Sequence, residues 1–255
     1  MTAIQEQNAL PGITNRILGR LVRAVFIAFE QARAAFPSRK TFLVGNPVRR
    51  KLMDNYLRSR PPVADARFRL LVVGGSLGAR GLNTRMLEAL PHLGDLRERM
   101  DIVHQTGPAD LERVKAGYAA AGVAAEVVPF VDDMSAAYAS ASLVLCRAGA
   151  TTVAELAICK KAAILVPFPF ATDDHQAVNA AALVEAGAAL MFRESELTGE
   201  RLAAELRRLA AEPEMLQRME RSAGHLGRPE AARELVDVCA ELVAGPSGRG
   251  QMVPR

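Results

Sequence analysis

Short apolar runs alternate with helical patterns along most of this chain, and this alternation limits the folds that the chain can adopt. An apolar run at 24–29 predicts one strand near the start of the chain. The other runs are continuous, rich in Val, Leu and Ile, and lie at 41–45, 69–75, 101–107, 125–130, 142–146 and 162–168. Such runs are typical of strands buried on both faces. Helical patterns separate them at 79–90, 108–121, 133–140, 152–159 and 175–187. We therefore predict an α/β fold with a doubly wound parallel sheet, in which ligands bind beyond the carboxyl ends of the strands.

Composition and charge exclude several classes of function. A chain of 255 residues, half of them hydrophobic, can bury a substantial core. The net charge of +4 favours contact with anions, but the surplus is too small to indicate nucleic acid. Three scattered cysteines and four histidines show no zinc spacing, so we expect no metal and no cofactor. The sequence contains neither a membrane span of about 20 apolar residues nor a signal peptide, which predicts a cytoplasmic location.

The stretch CRAGATTVAE, at 146–155, ends one predicted strand and begins a predicted helix. Thr152 and Glu155 have the spacing of a capping box, in which a hydroxyl and a carboxylate satisfy free amides at a helix N-terminus. A strand, a glycine and a helix start also make an anion site, because free N–H groups and the positive end of the helix dipole attract a phosphate. The two interpretations are compatible, and the spacing alone favours the capping box.

A glycine-rich loop follows another predicted strand, in VVGGSLGARGLN at 72–83. Glycines let the backbone approach a ligand closely, and Ser76 could donate a hydrogen bond to it. The GGxxG spacing differs from the GxGxxG of dinucleotide-binding folds, and the Lys-Ser/Thr pair of a P-loop is absent. The loop by itself is therefore weak evidence for a phosphate or sugar site.

A third polar loop, in PFPFATDDHQAVNAAAL, follows the last apolar run. Gln176 and Asn179 lie three residues apart at the start of a helix, so their amides share a face and could bind sugar hydroxyls. The alternative is that Thr172 or Asp173 caps this helix and His175 is merely solvated. Three polar loops at one edge of one sheet favour a shared ligand site over isolated caps.

Seven motifs, in their order and spacing, resemble the MurG family. Members of this family are membrane-associated transferases that add N-acetylglucosamine (GlcNAc) from UDP-GlcNAc to the lipid-linked muramyl-pentapeptide of peptidoglycan synthesis. The similarity covers nearly the whole chain, and seven ordered motifs are far more specific than one glycine loop. The motifs are EQN (6–8), VGNPVR (44–49), VVGGSLGARGLN (72–83), HQTG (104–107), PFVDDMSAAYASA (129–141), CRAGATTVAELA (146–157) and DDHQAVNA (173–180).

The resemblance implies the GT-B architecture, in which two Rossmann-like domains enclose the nucleotide sugar. It implies an inverting hexosyltransferase without a metal, whose UDP leaving group is stabilised by helix dipoles. The implied partners are UDP-GlcNAc, an undecaprenyl-linked MurNAc-pentapeptide and, peripherally, the cytoplasmic face of the bacterial inner membrane. The implied parts are a remnant of the N-terminal acceptor domain, the complete C-terminal UDP-GlcNAc domain, a helix packing back toward the first domain and a disordered tail, at 1–48, 49–225, 226–244 and 245–255.

The resemblance also assigns the nucleotide to particular residues. It implies that the main chain of Val131 pairs with the uracil edge beside Phe130. Ser76 and Thr152 hold the diphosphate, and Glu155 accepts both ribose hydroxyls. The turn and first helical residues around the diphosphate are Ala150, Thr151, Val153 and Ala154.

The sugar and the domain junction involve a second set of residues in the same comparison. Gln176 is implied to bind the GlcNAc hydroxyls, with His175 and Asn179 beside it. Arg49, in a proline-rich segment predicted to be a hinge at 49–66, reaches the nucleotide. Asn8 approaches the ligand from the other domain.

The chain also departs from the family pattern. It begins near the EQN motif, so the family's GGTGGH-type loop, with the histidine proposed as general base, has no counterpart, and Gln5 stands where the family usually has histidine. No catalytic residue can therefore be assigned. We expect the chain alone to bind UDP-GlcNAc and to transfer it negligibly. The alternatives are a non-catalytic UDP-sugar-binding subunit of a split two-chain GlcNAc transferase and, more weakly, a UDP-GlcNAc 2-epimerase.

Two predicted helices carry apolar surfaces that could contact another protein chain or a lipid surface. The last predicted helix carries Ala231, Leu235, Val238 and Leu242 on one face. Without the rest of the N-terminal domain this stripe should be exposed, which predicts self-association unless a separate acceptor-domain chain covers it. A basic helix at 11–23 could contact anionic lipid through its arginines and apolar residues, but a half-buried helix with a solvated face explains it more simply.

Overall fold

The structure is a computed structural model that describes residues 2–59 and 67–244, and it contains two parallel sheets. The smaller sheet has three strands in the order β1-β2-β3, at Ala3–Glu6, Ala24–Ile27 and Thr41–Leu43. The larger sheet comprises β4 to β9, at Phe68–Val73, Met100–Gln105, Glu126–Val128, Leu143–Cys146, Ala163–Leu165 and Ala189–Met191. Its order is β6-β5-β4-β7-β8-β9, so the strand order reverses between β4 and β7.

Helices connect the strands and cover both faces of the larger sheet. The first six, α1 to α6, lie at Ile13–Leu21, Arg50–Ser59, Arg80–Ala89, Leu96–Arg99, Leu111–Ala121 and Met134–Ser140. The remaining five, α7 to α11, lie at Ala150–Ile158, His175–Glu185, Gly199–Ala211, Pro213–Leu226 and Ala231–Ala244. All six predicted strands and all five predicted helices of the central region are present, with ends shifted by a few residues.

The central strand β4 shows why the larger sheet is buried on both faces. Leu70 and Val72 belong to one hydrophobic cluster, whereas Leu71, on the opposite face, belongs to a second cluster. All three side chains are at most 2% exposed. Alternate residues of a strand point to opposite faces, so a continuous apolar run fills both layers. The predicted doubly wound parallel sheet is confirmed.

The sequence analysis did not predict two of the strands, β1 and β9. β1 has the sequence AIQE, and β9 has only three residues. Neither contains a long apolar run, because each lies at the edge of its sheet and packs on fewer neighbours. The first 48 residues thus contribute three strands where the sequence suggested two.

The predicted hinge is a helix over most of its described length. α2 packs against α6, and Leu52 and Tyr56, one turn apart, are both buried. That spacing places both side chains on one helix face, a signal that the neighbouring prolines obscured. The part of the predicted hinge at 60–66 lies outside the described residues.

The apolar stripe of α11 is covered, so the prediction of an exposed stripe is wrong. Ala231 and Val238 are buried, and Leu235 and Leu242 are partly buried. Leu235, Val238 and Leu242 pack on the smaller sheet and its flank, in one cluster with Ala24, Phe26, Phe42 and Val44. Strands β2 and β3 therefore provide the hydrophobic partner that the sequence analysis considered absent.

α1 is more exposed than the half-buried helix that the sequence analysis favoured, so that interpretation is wrong. Its apolar side chains face solvent, with Ile13, Ile17 and Leu21 at 67%, 57% and 77% exposed. The buried position of the helix is Gly19, which lies against the Phe36 ring. Within residues 2–59 and 67–244, no helix is long and apolar enough to cross a membrane.

The division into domains stays a prediction, and three of its four parts contain elements that the structure describes. The smaller sheet lies within the predicted first domain, the larger sheet within the second, and α11 packs on the smaller sheet. The predicted disordered tail at 245–255 lies outside the described residues.

Candidate functional site

A cavity of about 510 Å³ opens at the carboxyl edge of the larger sheet, beside the point where the strand order reverses. In open parallel sheets this is the position at which ligands bind. Loops that follow β4, β7, β8 and β9 all contribute to its wall. The lining residues are Val73, Gly74, Gly75, Gly78, Ala79, Arg80, Gly81, Arg147, Gly149, Thr152, Phe168, Pro169, Phe170, Gln176 and Glu194.

The glycine-rich loop forms one wall. It is closed by a turn in which the N–H of Gly78 donates to the carbonyl oxygen of Gly75 at 2.9 Å. Ser76 is exposed at the tip of this turn, next to the glycines that line the cavity. α3 begins directly after the loop, at Arg80. The structure therefore brings the predicted strand, turn and helix start to the cavity.

The start of α7 forms the opposite part of the wall. The helix begins at Ala150 with Gly149 as its N-cap, so Thr152 lies inside the first turn and lines the cavity. The predicted capping box is wrong, because a box would need Thr152 at the cap position. The first N–H groups of α7 have no capping side chain at Gly149, which suits an anion at this helix end.

Glu155 lies one turn further along α7 and is hydrogen-bonded away from the helix end. Its Oε2 accepts a hydrogen bond from the Tyr138 hydroxyl at 3.1 Å. Burial raises the pKa of Glu155, while the Tyr138 bond and the nearby Arg49 guanidinium oppose that rise. The carboxylate is thus held in a partly desolvated position, where a hydrogen-bond donor on a ligand would gain strength.

The other residues of this segment have different surroundings. Thr151 is exposed, whereas Val153 is buried in the core. Val153 and Ala154 line a second, smaller crevice between the two sheets and not the cavity at the sheet edge. Only the main chain of Val153 and Ala154 can therefore belong to the predicted phosphate turn.

Gln176 reaches the cavity from the first turn of α8. Its Oε1 accepts hydrogen bonds from the N–H groups of Ala148 and Phe168, at 3.3 and 3.0 Å. These bonds fix the amide between the loops that follow β7 and β8. His175 precedes it, and its Nδ1 lies 2.8 Å from the carbonyl oxygen of Thr172.

The turn before α8 differs from the predicted cap. Asp174, not Thr172 or Asp173, occupies the N-cap, and its carboxylate makes no capping bond. It forms instead a two-point ion pair with Arg193, with both N–O distances at 2.6 Å. Asp173 and Asp174 both have positive φ, a backbone conformation that costs energy for residues other than glycine. The ion pair stabilises this turn next to Gln176.

Asn179 is fully buried below Gln176 and joins the two sheets. Its Oδ1 accepts the N–H of Ala9 at 2.8 Å, and its Nδ2 donates to the Asn8 side chain at 3.1 Å and to the carbonyl oxygen of Ala148 at 3.3 Å. Asn8, in the segment after β1, thus contacts Asn179, and its approach to a ligand stays a prediction. Both ends of the Asn179 amide are already engaged within the chain.

Phe130 and Val131 follow β6, and Phe130 is 52% exposed. The main-chain N–H of Val131 donates to Oε1 of Gln105 at 2.8 Å. Sequence reasoning named the Val131 main chain but not the side chain that holds it. The polar residue at the end of a buried strand was the available signal.

Arg147 and Glu194 are two further residues of the cavity wall that sequence reasoning missed. Arg147 donates to the carbonyl oxygens of Val166 and Pro167 and forms an ion pair with Glu194. Arg147 directly follows the apolar run that forms β7, and this position is a sequence signal that could have identified it as a site residue. Glu194 follows β9, the strand without a sequence signal, so only the tertiary structure could place it. Among the described residues, no group of three or more His, Cys, Asp or Glu side chains could hold a metal ion.

Residues 69–235 match the glycosyltransferase family 28 C-terminal domain. The chain belongs to this family. The matched family 28 range contains the whole cavity wall, from β4 to the loop after β9.

Relatives and solved structures agree with the family 28 match. A protein of Myxococcus xanthus named UDP-N-acetylglucosamine--N-acetylmuramyl-(pentapeptide) pyrophosphoryl-undecaprenol N-acetylglucosamine transferase is 68% identical over 251 residues, covering 97% of this chain and 65% of that protein. The crystal structure of Acinetobacter baumannii MurG matches 92% of this chain and 66% of its own, with 36% identity and a TM-score of 0.77. The predicted relationship to MurG and the GT-B type of fold are confirmed. The chain spans about two thirds of the length of these relatives.

More distant structural neighbours share the fold alone. A UDP-N-acetylglucosamine 2-epimerase structure has a TM-score of 0.63 at 13% identity. Identity this low carries no argument about activity, so the epimerase alternative gains no support.

Proposed function

We propose that the chain binds UDP-GlcNAc in the cavity at the edge of the larger sheet and serves in GlcNAc transfer to a lipid-linked muramyl-pentapeptide. The convergence of Gly75, Thr152 and Gln176 on this one cavity carries the proposal. A glycine turn and a helix start suit a phosphate, and an amide suits a sugar. The name of the 68% identical relative supports this choice among anionic ligands.

The diphosphate is assigned to the start of α7 and to the glycine-rich loop. The N–H groups from Ala150 onward and the positive end of the helix dipole attract it, and the Ser76 and Thr152 hydroxyls can donate to it. Negative charge builds on the outer phosphate as the bond to the sugar breaks. The same groups then stabilise the leaving UDP, which is where they contribute to the rate.

The nucleoside is assigned to two neighbouring elements. The Glu155 carboxylate accepts the two ribose hydroxyls, and the Tyr138 hydroxyl orients it. The carbonyl oxygen of Val131 accepts the N3–H of uracil, beside the exposed Phe130 ring. Arg49 lies near Glu155 and adds positive charge on the nucleotide side.

The GlcNAc group is assigned to the first turns of α8. Oε1 of Gln176 is engaged by two main-chain N–H groups, so its Nε2 is the group proposed to donate to a sugar hydroxyl. His175 and Asn179 are proposed as its neighbours, with Asn8 beside Asn179. Because Asn179 is buried, it reaches the sugar only by exchanging one of its internal hydrogen bonds.

The lipid-linked acceptor implies contact with a membrane surface, and we propose that α1 makes it. Ile13, Ile17 and Leu21 are exposed on this helix together with Arg16 and Arg20. Apolar side chains beside arginines match the apolar interior and the anionic head groups of a bilayer. The proposed location is therefore the cytoplasmic face of the bacterial inner membrane, with peripheral attachment.

Calorimetric titration with UDP-GlcNAc tests the donor assignment. The unmodified chain should bind, and Glu155→Ala should lower the affinity by about tenfold or more, because two charge-assisted hydrogen bonds to ribose are lost. Glu241→Ala, at an exposed position of α11 outside the cavity, is the matched control and should bind as the unmodified chain does.

Three outcomes decide the proposal. A folded chain without affinity for UDP-GlcNAc contradicts the donor assignment, and equal binding by Glu155→Ala contradicts the ribose assignment alone. A transfer assay with a lipid-linked acceptor then tests the expectation that the chain alone transfers negligibly. Clear transfer would refute that expectation and leave the donor site intact.

A further inference from the structure

Gln105 is a buried side chain at the carboxyl end of β5 that holds two different loops. Its Nε2 donates to the carbonyl oxygen of Gly75, and its Oε1 accepts the N–H of Val131, both at 2.8 Å. The side chain is 2% exposed. Both distances are those of well-formed hydrogen bonds. One amide therefore ties the loop after β4 to the loop after β6.

The residues that follow Gln105 pack backbone to backbone on the glycine-rich loop. A Cβ atom at Gly78 would lie 1.8 Å from the carbonyl oxygen of Thr106, and one at Gly107 would lie 2.1 Å from that of Leu77. Both glycines also have a φ of +77°, which other residues rarely adopt. The two loops can approach this closely only because both positions lack a side chain.

A buried polar chain fixes this segment from below. The His104 ring contacts the Tyr118 hydroxyl and Oδ1 of Asn83, each at 3.0 Å, and Nδ2 of Asn83 donates to the carbonyl oxygen of Thr106. His104 and Thr106, the two neighbours of Gln105, are thus both anchored. Gln105 projects from a rigid base, so its hydrogen bonds can transmit the position of one loop to the other.

We propose that Gln105 is a positioning residue that couples recognition of the nucleobase to binding of the diphosphate. This inference rests on the proposed function, which assigns the loop of Phe130 and Val131 to the base and the loop of Gly75 and Ser76 to the diphosphate. A ligand that spans both loops needs them at a fixed separation, and Gln105 sets that separation before the ligand arrives. A ligand that touches one loop gains little from it.

Uridine and UDP separate coupling from general stabilisation. Uridine contacts the base loop and the ribose carboxylate, whereas UDP also engages the diphosphate loop. A side chain that only supports the fold would change both affinities alike. Loss of a side chain that couples the two loops lowers the affinity for UDP more than the affinity for uridine. The ratio of the two affinities is therefore the quantity to measure.

The experiment is calorimetric titration of uridine and UDP into the full chain and its variants. Gln105→Leu removes both hydrogen bonds while keeping a side chain of similar volume. It should lower the affinity for UDP by about tenfold and the affinity for uridine by less than twofold. Gln105→Glu keeps the acceptor for Val131 but places a carboxylate oxygen against the carbonyl of Gly75. It should therefore bind uridine normally and UDP weakly. Gln217→Leu, at an exposed position of α10, is the matched control.

An unchanged ratio of UDP to uridine affinity in either folded Gln105 variant overturns the inference. Circular dichroism shows whether each variant folds, and Gln105→Glu carries the test if Gln105→Leu does not. Failure of the proposed function looks different, since the unmodified chain would then bind neither uridine nor UDP and the coupling would have no site to act on.

Discussion

At the scale of single residues, His104 shows how a polar group becomes part of the core. The ring is fully buried, and each ring nitrogen has a partner, the Tyr118 hydroxyl or the Asn83 amide. Burial disfavours the charged imidazolium and lowers the pKa of His104 from 6.5 to about 4, although Asp110 acts in the opposite direction. The His104 ring is therefore neutral in the folded chain at physiological pH.

This shift makes the stability of the fold dependent on pH. The unfolded chain takes up a proton on His104 as the pH falls below about 6.5, and the folded chain does not until about 4. The stabilisation is complete above 6.5 and is lost as the pH falls, by roughly 2 kcal/mol between pH 7 and pH 5. Urea unfolding at the two pH values should show this loss. His104→Gln should reduce it, whereas His92→Gln, at an exposed position, should not.

At the scale of secondary structure, α1 is the element whose surroundings least explain its sequence. A short helix with arginines and exposed Ile and Leu side chains gains little from packing on its own sheet. The same side chains suit a bilayer surface, and this is the physical basis of the proposed membrane contact.

Vesicle co-sedimentation tests the role of α1. Arg16→Gln with Arg20→Gln should weaken binding to anionic vesicles by about 30-fold, because each basic side chain contributes about 1 kcal/mol near such a surface. Added salt should weaken binding of the unmodified chain in the same direction. Leu57→Gln alters another highly exposed leucine, on α2, and should leave binding unchanged. Equal binding to neutral and anionic vesicles would contradict the electrostatic part of the proposal.

At the scale of the whole molecule, buried asparagines join the two sheets beside the proposed site. Asn179 accepts the N–H of Ala9, and Asn46 donates to the carbonyl oxygens of Gln7 and Ala150. These bonds connect the segment after β1 to the starts of α7 and α8. The geometry of the ligand site therefore depends on the smaller sheet as well as the larger one.

Removal of one of these side chains should weaken the junction. Asn179→Ala leaves the buried N–H of Ala9 without its acceptor, which should lower the free energy of unfolding by roughly 1–3 kcal/mol. Urea denaturation measures this change. Gln217→Ala, at an exposed position of α10, provides the comparison and should stay within about 0.5 kcal/mol of the unmodified chain. A similarly small effect at Asn179 would mean that the junction is held by other contacts.

Local patterns predicted the central sheet well and its surroundings less well. The run that forms β4 is apolar at every core position, so sequence alone revealed it. The edge strand β9 has no such run, and Glu194, which depends on it, was missed with it. The capping box failed because the N-cap of α7 is Gly149, three residues before Thr152.

The sequence by itself determined the order of strands and helices, the three polar loops and the resemblance to a glycosyltransferase family, because these depend on residues close together along the chain. Tertiary structure alone decided that α11 is covered, that α1 is exposed, and that Gln105 and Arg147 connect the loops of the site. Each of these outcomes depends on which surfaces meet after the chain has folded. Hydrogen bonds and burial between residues tens of positions apart leave no periodic signal in the sequence.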